Sequence, residues 1–516
     1  MNQVKTVLKR TLANIGLLVL LVMFFVENTA AQVAVEDMED NSGVIYRMKI
    51  TPAAAPSPLF KYRFSVMPRD TIAANAATLY LRSFGERSLS GPSEAAYGEY
   101  GEDFYDWQSN SGVPIEKLLE TSASEASKMF DNYISNHIER ATKCRYCDWG
   151  LGEEGLVGTK IFDLLLPSVQ ETRSISRALS LQTRVAIAEK RFDRAVELMR
   201  MNYRVGQNVS KMKFLVCTLV GVAEVGITNG TMIDFIAAPD SPNMYWALTE
   251  LPRPIIDVRE AFRLELTSMN GLFPELFSAE ETEQSVEAWK SHTSKIVQSA
   301  FYTSRSVNGG SGKEMIDELN GNSPELTVNQ LVFKLAPVMV GLAAYREAKQ
   351  QLLDDGEDAQ KVEARPVAQV IAMAMARDMT KRSQEMERWI YQPFDVAEKG
   401  LSQEEETFIR RENLGMITRP GEAIASMLLP AGQQVHAAQM RIQRDIDAMR
   451  VIEAIRMHAA QTGTLPATLD QISVVPVPVN PATNEPFSYQ LKGDTATLEL
   501  PRSDGITYSK RFEIRL

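Results

Sequence analysis

The chain predicts a mainly α fold: an irregular helical bundle with one tetratricopeptide-like hairpin, plus a small C-terminal α+β unit in which a long helix lies on a three-stranded antiparallel sheet. Three observations carry this. Apolar residues recur at three- and four-residue spacing through most of 164–266 and 328–391, as one buried helix face requires. Strict alternation is confined to short stretches near both ends of the chain. At 44% hydrophobic and 23% charged residues, the chain has the composition of a folded protein rather than a disordered one.

Lys5, Lys9 and Arg10 precede an apolar run from Ile15 to Val26, which ends in Thr29-Ala30-Ala31. A basic start, a short apolar middle and small residues form the anatomy of a secretory signal, here over 1–31 with cleavage between Ala31 and Gln32. The run falls short of the ~20 residues a bilayer span needs. A retained N-terminal anchor is the alternative. No other stretch is read as membrane-long, so no membrane span is expected after signal removal. The address implied is exported, periplasmic or secreted, without nucleotide or reductant. Net charge is −11 over the whole sequence. Such an acidic surface argues against nucleic acid, whose binding rests on Lys and Arg neutralising phosphate.

Along the chain, residues 32–70 read as an extended segment with short strands at Val44–Ile50 and Lys61–Val66, joined by a connector carrying Pro52, Pro56 and Pro58. A helical domain is expected over 71–306. Within it, 88–112 reads as a long loop, because Gly91, Pro92, Gly98, Gly101 and Gly112 surround Tyr97, Tyr100, Phe104, Tyr105 and Trp107. Ile115–Lys143 reads as helix. Ser176–Glu189 and Asp193–Val205 form two helices across a Lys190-Arg191 turn, and the spacing of Phe192, Ala195 and Met199 resembles one tetratricopeptide unit without a second copy. A flexible linker is expected at 307–327 and a second helical region at 328–440, with an acidic turn at Asp354–Asp358.

In 441–516, Ile442, Ile446, Met449, Ile452 and Ile455 mark one apolar stripe on a long helix stopped by Gly463. Alternation at Phe487–Leu491, Ala496–Leu500 and Phe512–Ile514 then gives a three-strand meander. With Ala454-Ile455-Arg456, Gly463, Pro466, Leu469, Asn480-Pro481, Pro486, Phe487 and Tyr489, this segment resembles the globular part of type II secretion pseudopilins over about 75 residues. A pseudopilin begins with this helix, whereas here it sits at the far end of the chain. The acid that helps hold calcium in major pseudopilins is Asn480 here, so no metal site is carried over. The remainder resembles an uncharacterised family of exported proteins of planctomycete-type bacteria, through Cys147-Asp148-Trp149-Gly150, Leu166-Pro167, Ala186–Leu198, Leu219-Val220-Gly221, Tyr245–Pro254 and Pro366–Val370. That resemblance implies export and a fold, and brings no activity.

Few motifs carry chemistry. Cys144 and Cys147 admit three readings: structural thiols or a local disulfide, a redox pair, or half of a zinc site to which only His137 is near. Gly309–Lys313 lacks the spacing of a phosphate loop, with Glu314 where Ser or Thr is needed. His137, His292, His436 and His458 form no metal or catalytic pattern, and His436 and His458 read as polar-face residues of long helices. Glu99, Glu102, Asp103 and Asp106, set among aromatics, are weak ligand-site candidates of the kind found in sugar clefts. No catalytic, cofactor-binding or metal residue is assigned, and no cofactor is expected. The reading is an exported, non-enzymatic envelope protein that binds other envelope proteins or acts as a scaffold, in an unassigned oligomeric state. One alternative is an envelope hydrolase using carboxylates of the 97–107 loop. Another is an accessory to a secretion or pilus-like assembly.

Overall fold

The computed structural model describes residues 33–38, 42–86, 90–108, 113–150, 166–212, 214–280, 285–307, 341, 343–403, 429–502, 506 and 508–516. The segment read as a leader, with its expected cleavage between Ala31 and Gln32, and the expected linker beyond Val307 lie outside them. The protein is mainly helical, with a small sheet that includes the C-terminal strands. In chain order the principal elements are β1 (Val33–Asp37), β2 (Gly43–Lys49), β3 (Ile72–Asn75), α1 (Ala76–Glu86), α2 (Ser90–Tyr100), α3 (Asp103–Gln108), α4 (Ala123–Lys128), β4 (Cys144–Tyr146), α5 (Leu166–Ala188), α6 (Phe192–Val209), α7 (Leu215–Ala237), α8 (Val286–Val307), α9 (Ala359–Ala364), α10 (Val367–Ile390), α11 (Leu429–Thr462), β5 (Ser488–Lys492), β6 (Thr495–Leu500) and β7 (Ser509–Arg515). Contacts divide the chain into two compact units, one from 22–151, 166–261 and 435–516, the other built mainly from 262–434.

In the first unit the C-terminal meander β5–β6–β7 forms as expected, but it is not a separate three-stranded sheet. β1 and β2 extend it to five strands in the order β1-β2-β7-β6-β5, with β2 parallel to β7. The cause is one-sided burial: Val44, Tyr46 and Met48 are buried on alternate positions of β2 and need an apolar neighbour in register. Phe512 and Ile514 of β7 stand opposite Tyr46 and Met48, and the Tyr46 and Phe512 rings stack at 5.0 Å. The 32–70 segment is thus partly C-terminal sheet. Lys61–Val66 forms no strand; only Phe64 is buried there, edge-on to Tyr203 at 5.1 Å.

Across this sheet runs α11, ended by Gly463 with φ +77°. The expected apolar stripe is present, yet the other faces are buried too, including Arg444, Asp445, Asp447, Glu453 and Arg456. The helix has neighbours on opposite sides. Lys510 of β7 pairs with Asp445 at 2.6 Å, and Arg444 donates to the Pro501 carbonyl at 2.8 Å. From the helical side, Asn229 of α7 donates to the Ile442 carbonyl at 3.4 Å, and Arg253 pairs with Asp447. His436 is buried rather than on a polar face, and burial lowers its pKa to about 4.

At the centre, fully buried Arg456 uses all three nitrogens. It pairs with Glu453 at 3.0 Å and donates to the carbonyls of Thr51 at 2.9 Å and Ser241 at 2.8 Å. Glu453 in turn accepts from the Met244 amide at 3.0 Å. Burial pushes the Glu453 carboxyl up, while the neighbouring guanidinium draws it back.

The α5–α6 hairpin forms about Lys190, whose φ of 55° closes the tight turn. Its small residue Ala195 is fully buried, as the tetratricopeptide-like spacing predicts. The hairpin is covered by α7, whose Phe235 meets Phe192 edge-on at 5.5 Å. Helices α6 and α7 approach so closely that a Cβ on Gly221 would lie 2.5 Å from the Gly206 carbonyl oxygen. Contrary to the sequence reading, α7 is long and apolar enough to cross a membrane, the one such helix among the described residues. It is mostly buried within its unit and carries Glu224, Asn229 and Asp234, the pattern of a core helix.

Two further expectations change. The part of the expected 88–112 loop that is described is instead α2 and α3, with 88–89 and 109–112 outside the described residues. Pro92 falls in the first turn of α2, where backbone N–H groups have no helical partner in any case, and Gly101 ends it at φ +62°. Ile115–Lys143 is a broken series of short helical turns. Thr121 contributes to one break, its hydroxyl donating to the Leu118 carbonyl and accepting from the Ala123 amide.

The second unit has its own core of Phe273, Leu276, Trp289, Leu352, Val370 and Met373. The acidic turn forms, and its charges have specific work. Asp358 caps α9 through the amides of Gln360 and Lys361, while Arg377 of α10 bonds Glu357 at 2.6 Å and Asp355 at 3.3 Å.

Gly221→Ala forces a methyl group against backbone, so we expect a loss of about 1–3 kcal/mol, read from the urea midpoint. Arg456→Ala strands a buried carboxylate and should cost about 3–5 kcal/mol in the same measurement.

Candidate functional site

Helices α2 and α3 form a compact corner held from below. Phe104 and Trp107 are buried, and Phe104 stacks on Phe130 at 6.0 Å. Fully buried Arg184 of α5 donates to the carbonyls of Trp107 at 2.8 Å and Val113 at 2.6 Å. Its Nε reaches Asp234 of α7 at 3.2 Å. Ser180 donates to the Gln108 carbonyl at 2.7 Å. The corner is therefore fixed to the three-helix layer by backbone acceptors as well as by apolar packing.

On its outer side Tyr97 and Tyr105 pack 5.2 Å apart and remain 45% and 49% exposed. Glu99 on α2, Glu102 in the turn after it, and Asp103 and Asp106 on α3 are all exposed. The five aromatic residues thus divide: Phe104 and Trp107 anchor the corner, Tyr100 packs on Trp107 at 5.3 Å, and Tyr97 and Tyr105 face solvent. The acids lie open to water, whereas glycoside chemistry relies on a carboxylic acid sheltered enough to hold its proton. The arrangement suits recognition of a basic or hydrogen-bonding surface more than bond cleavage.

Cys144 and Cys147 are free thiols in this structure, not joined in a disulfide. Cys144 is buried and its thiol donates to the Arg140 carbonyl at 3.4 Å. Burial pushes the Cys147 thiol up to about 12 and raises that of Cys144, which disfavours the thiolate needed for redox attack. Among the described residues no group of three or more His, Cys, Asp or Glu is placed to hold a metal ion. β4, which carries Cys144, pairs in parallel with β3, and the Asn75 side chain bridges to the backbone of Asp148 through bonds of 2.6 and 2.9 Å. Trp149 is a packing anchor, stacked on Tyr80 at 5.6 Å and donating to the Asn208 carbonyl at 2.8 Å.

The sequence reading missed the buried ionisable groups of α7. Asp234 is raised by burial and drawn back by Arg184. Glu224 is fully buried beside the α6–α7 contact, and neither carboxylate oxygen has a donor. The nearby Thr172 hydroxyl instead donates to the Val169 carbonyl at 2.8 Å. Burial raises the Glu224 pKa to about 8, with Arg173 opposing the shift, so the side chain is mostly protonated at neutral pH. The available signal was polarity out of place: Glu224, Asn229 and Asp234 interrupt the most apolar helix in the described chain.

No family model, curated protein or solved structure matches the chain.

Because the folded protein keeps a proton on Glu224 that the unfolded chain releases, this group's contribution falls as pH rises from 4.5 toward about 8. Glu224→Gln keeps the shape and removes that ionisation. Its stability advantage should be small near pH 5 and grow by roughly 1.4 kcal/mol per unit up to about pH 8, read from urea midpoints across that range.

Proposed function

We propose that this chain is an exported envelope protein acting as a non-enzymatic scaffold, engaging other envelope proteins in periplasmic or secreted space. The observation that carries this reading is the outer side of the α2–α3 corner. Two tyrosines stay half-exposed on a backbone held by Arg184, with four exposed carboxylates on the same two helices and the turn between them. Exposed tyrosines offer large contact area at low entropic cost, and acids steer a partner of opposite charge. Rigid presentation matters because ordering a loose loop would subtract from affinity. The partner class is a basic protein surface. The α11–β5–β6–β7 unit favours a second reading, an accessory to a secretion or pilus-like assembly, since a long helix across an antiparallel meander resembles a pseudopilin's globular part.

The mature chain beginning at Gln32, incubated with envelope extract, should retain a defined partner at low salt and release it as salt screens the contact. Tyr105→Ala should weaken that retention about tenfold or more without moving the urea midpoint. Unprocessed protein folded in the cytosol, or equal retention by the variant, refutes the proposal. Association with a purified pseudopilin or secretin component is what the second reading requires.

A further inference from the structure

The turn at Pro58–Lys61 carries apolar side chains where turns are ordinarily polar. The Lys61 amide donates to the Pro58 carbonyl at 2.9 Å, which places Leu59 and Phe60 at the two central positions. Gly, Asn, Asp and Ser prevail there because they tolerate the backbone geometry or bond to it, and Leu and Phe do neither. Leu59 is 48% exposed and Phe60 41%. Single exposed apolar residues are ordinary, but among the described residues these are the only large exposed pair adjacent in sequence.

Both stems of the turn are fixed. Before it, the Ala53 amide donates to the Arg456 carbonyl at 3.1 Å, and the Thr51 carbonyl accepts from the Arg456 guanidinium. After it, Arg63 pairs with Glu250, whose carboxylate also accepts from the Ser65 hydroxyl at 2.6 Å, and Phe64 is buried. The Arg63 guanidinium lies over the Phe60 ring at 4.4 Å, and Trp246 of the short helix Tyr245–Thr249 stands 6.1 Å from that ring. Ser57 to Lys61 nevertheless remain exposed without a break. The tip is held in place by its stems and left uncovered.

The surroundings fit one class of partner. No Asp or Glu lies between Asp40 and Asp70 in a chain of net charge −11, while Arg47, Lys49, Lys61, Arg63 and Arg69 do. Arg47 and Arg63 are paired and Arg69 meets Asp70 at 3.7 Å, whereas Lys49 and Lys61 are exposed with no ion pair among the described residues. An apolar tip with half-buried Tyr62 and Trp246 behind it and a lysine beside it has the composition of a membrane-interface anchor. A lipid surface also accepts a projecting tip without a shape-matched cleft.

We propose that the Pro58–Lys61 turn seats the protein reversibly on an anionic lipid surface. Leu59 and Phe60 enter the boundary between headgroups and acyl chains, and Lys61 meets lipid phosphate. The scaffold reading rests on the α2–α3 corner, so either can fail alone.

The test uses the chain from Gln32 onward, because the described fold starts at Val33 and the apolar run Ile15–Val26 would bind lipid by itself. It is sedimented with sucrose-loaded vesicles of phosphatidylethanolamine and phosphatidylglycerol, or of phosphatidylcholine alone. Binding should favour the anionic vesicles, and lipid brominated near the headgroup should quench a fluorescence component that Trp246→Phe removes. Leu59→Ser and Phe60→Asn, both suited to a turn, should each cut partition about tenfold with the urea midpoint unmoved. Should Phe60→Asn loosen the packing on Trp246, Leu59→Ser decides. No partition at about 5 mM lipid, where one acyl chain would suffice, overturns the proposal, as does equal partition by Leu59→Ser. Equal binding to phosphatidylcholine overturns it too. Loss of an envelope protein from the variants, with lipid binding unchanged, makes the turn a protein anchor and equally overturns it.

Discussion

The buried Arg456–Glu453 pair is the constraint from which the first unit's architecture follows. A guanidinium carries five donors that must find acceptors once water is excluded, and a carboxylate beside it satisfies only some of them. Here the remainder go to the Thr51 and Ser241 carbonyls, while Glu453 takes the Met244 amide. One residue pair therefore brings together the proline-rich connector after β2, the loop after α7 and the middle of α11. Such a pair adds little net stability over an apolar substitute, since desolvation offsets attraction. Its consequence is positional: misplacing any of the three segments leaves a buried charge without a partner.

The same logic recurs at Arg184, which fixes the α2–α3 corner through backbone carbonyls and the Asp234 carboxylate. Two buried arginines thus join segments that lie far apart in the sequence. Glu224 is the exception, a buried acid without a donor, and it tolerates its position by holding its proton. The side chains with perturbed chemistry in this unit are mostly internal ties, whereas the exposed acids and tyrosines of the corner are presented outward.

Much of the fold was legible in sequence because it rests on periodicity. The α5–α6 turn, the buried Ala195, the Gly463 stop and the meander all appear where spacing and turn chemistry put them. The misreadings have physical causes. Gly91, Pro92 and Gly98 suggested a loop, but proline is tolerated in a first helical turn, and packing of Phe104 and Trp107 outweighed weak helix propensity. The N-terminal strands were read as separate because nothing local tells a strand that its neighbour lies some 460 residues away. The exposure of the candidate acids was not readable from spacing, because it depends on which side of each short helix packs inward.

By itself the sequence determined the helical class, the alternating faces of the terminal strands and the identity of the residues able to carry charge, because each depends on neighbours only a few positions apart. Tertiary structure decided which charges are buried, which strands pair across the length of the chain, and whether Glu224 finds a partner. Those outcomes depend on solvent exclusion and on groups brought close only when distant segments pack, and no local spacing encodes them.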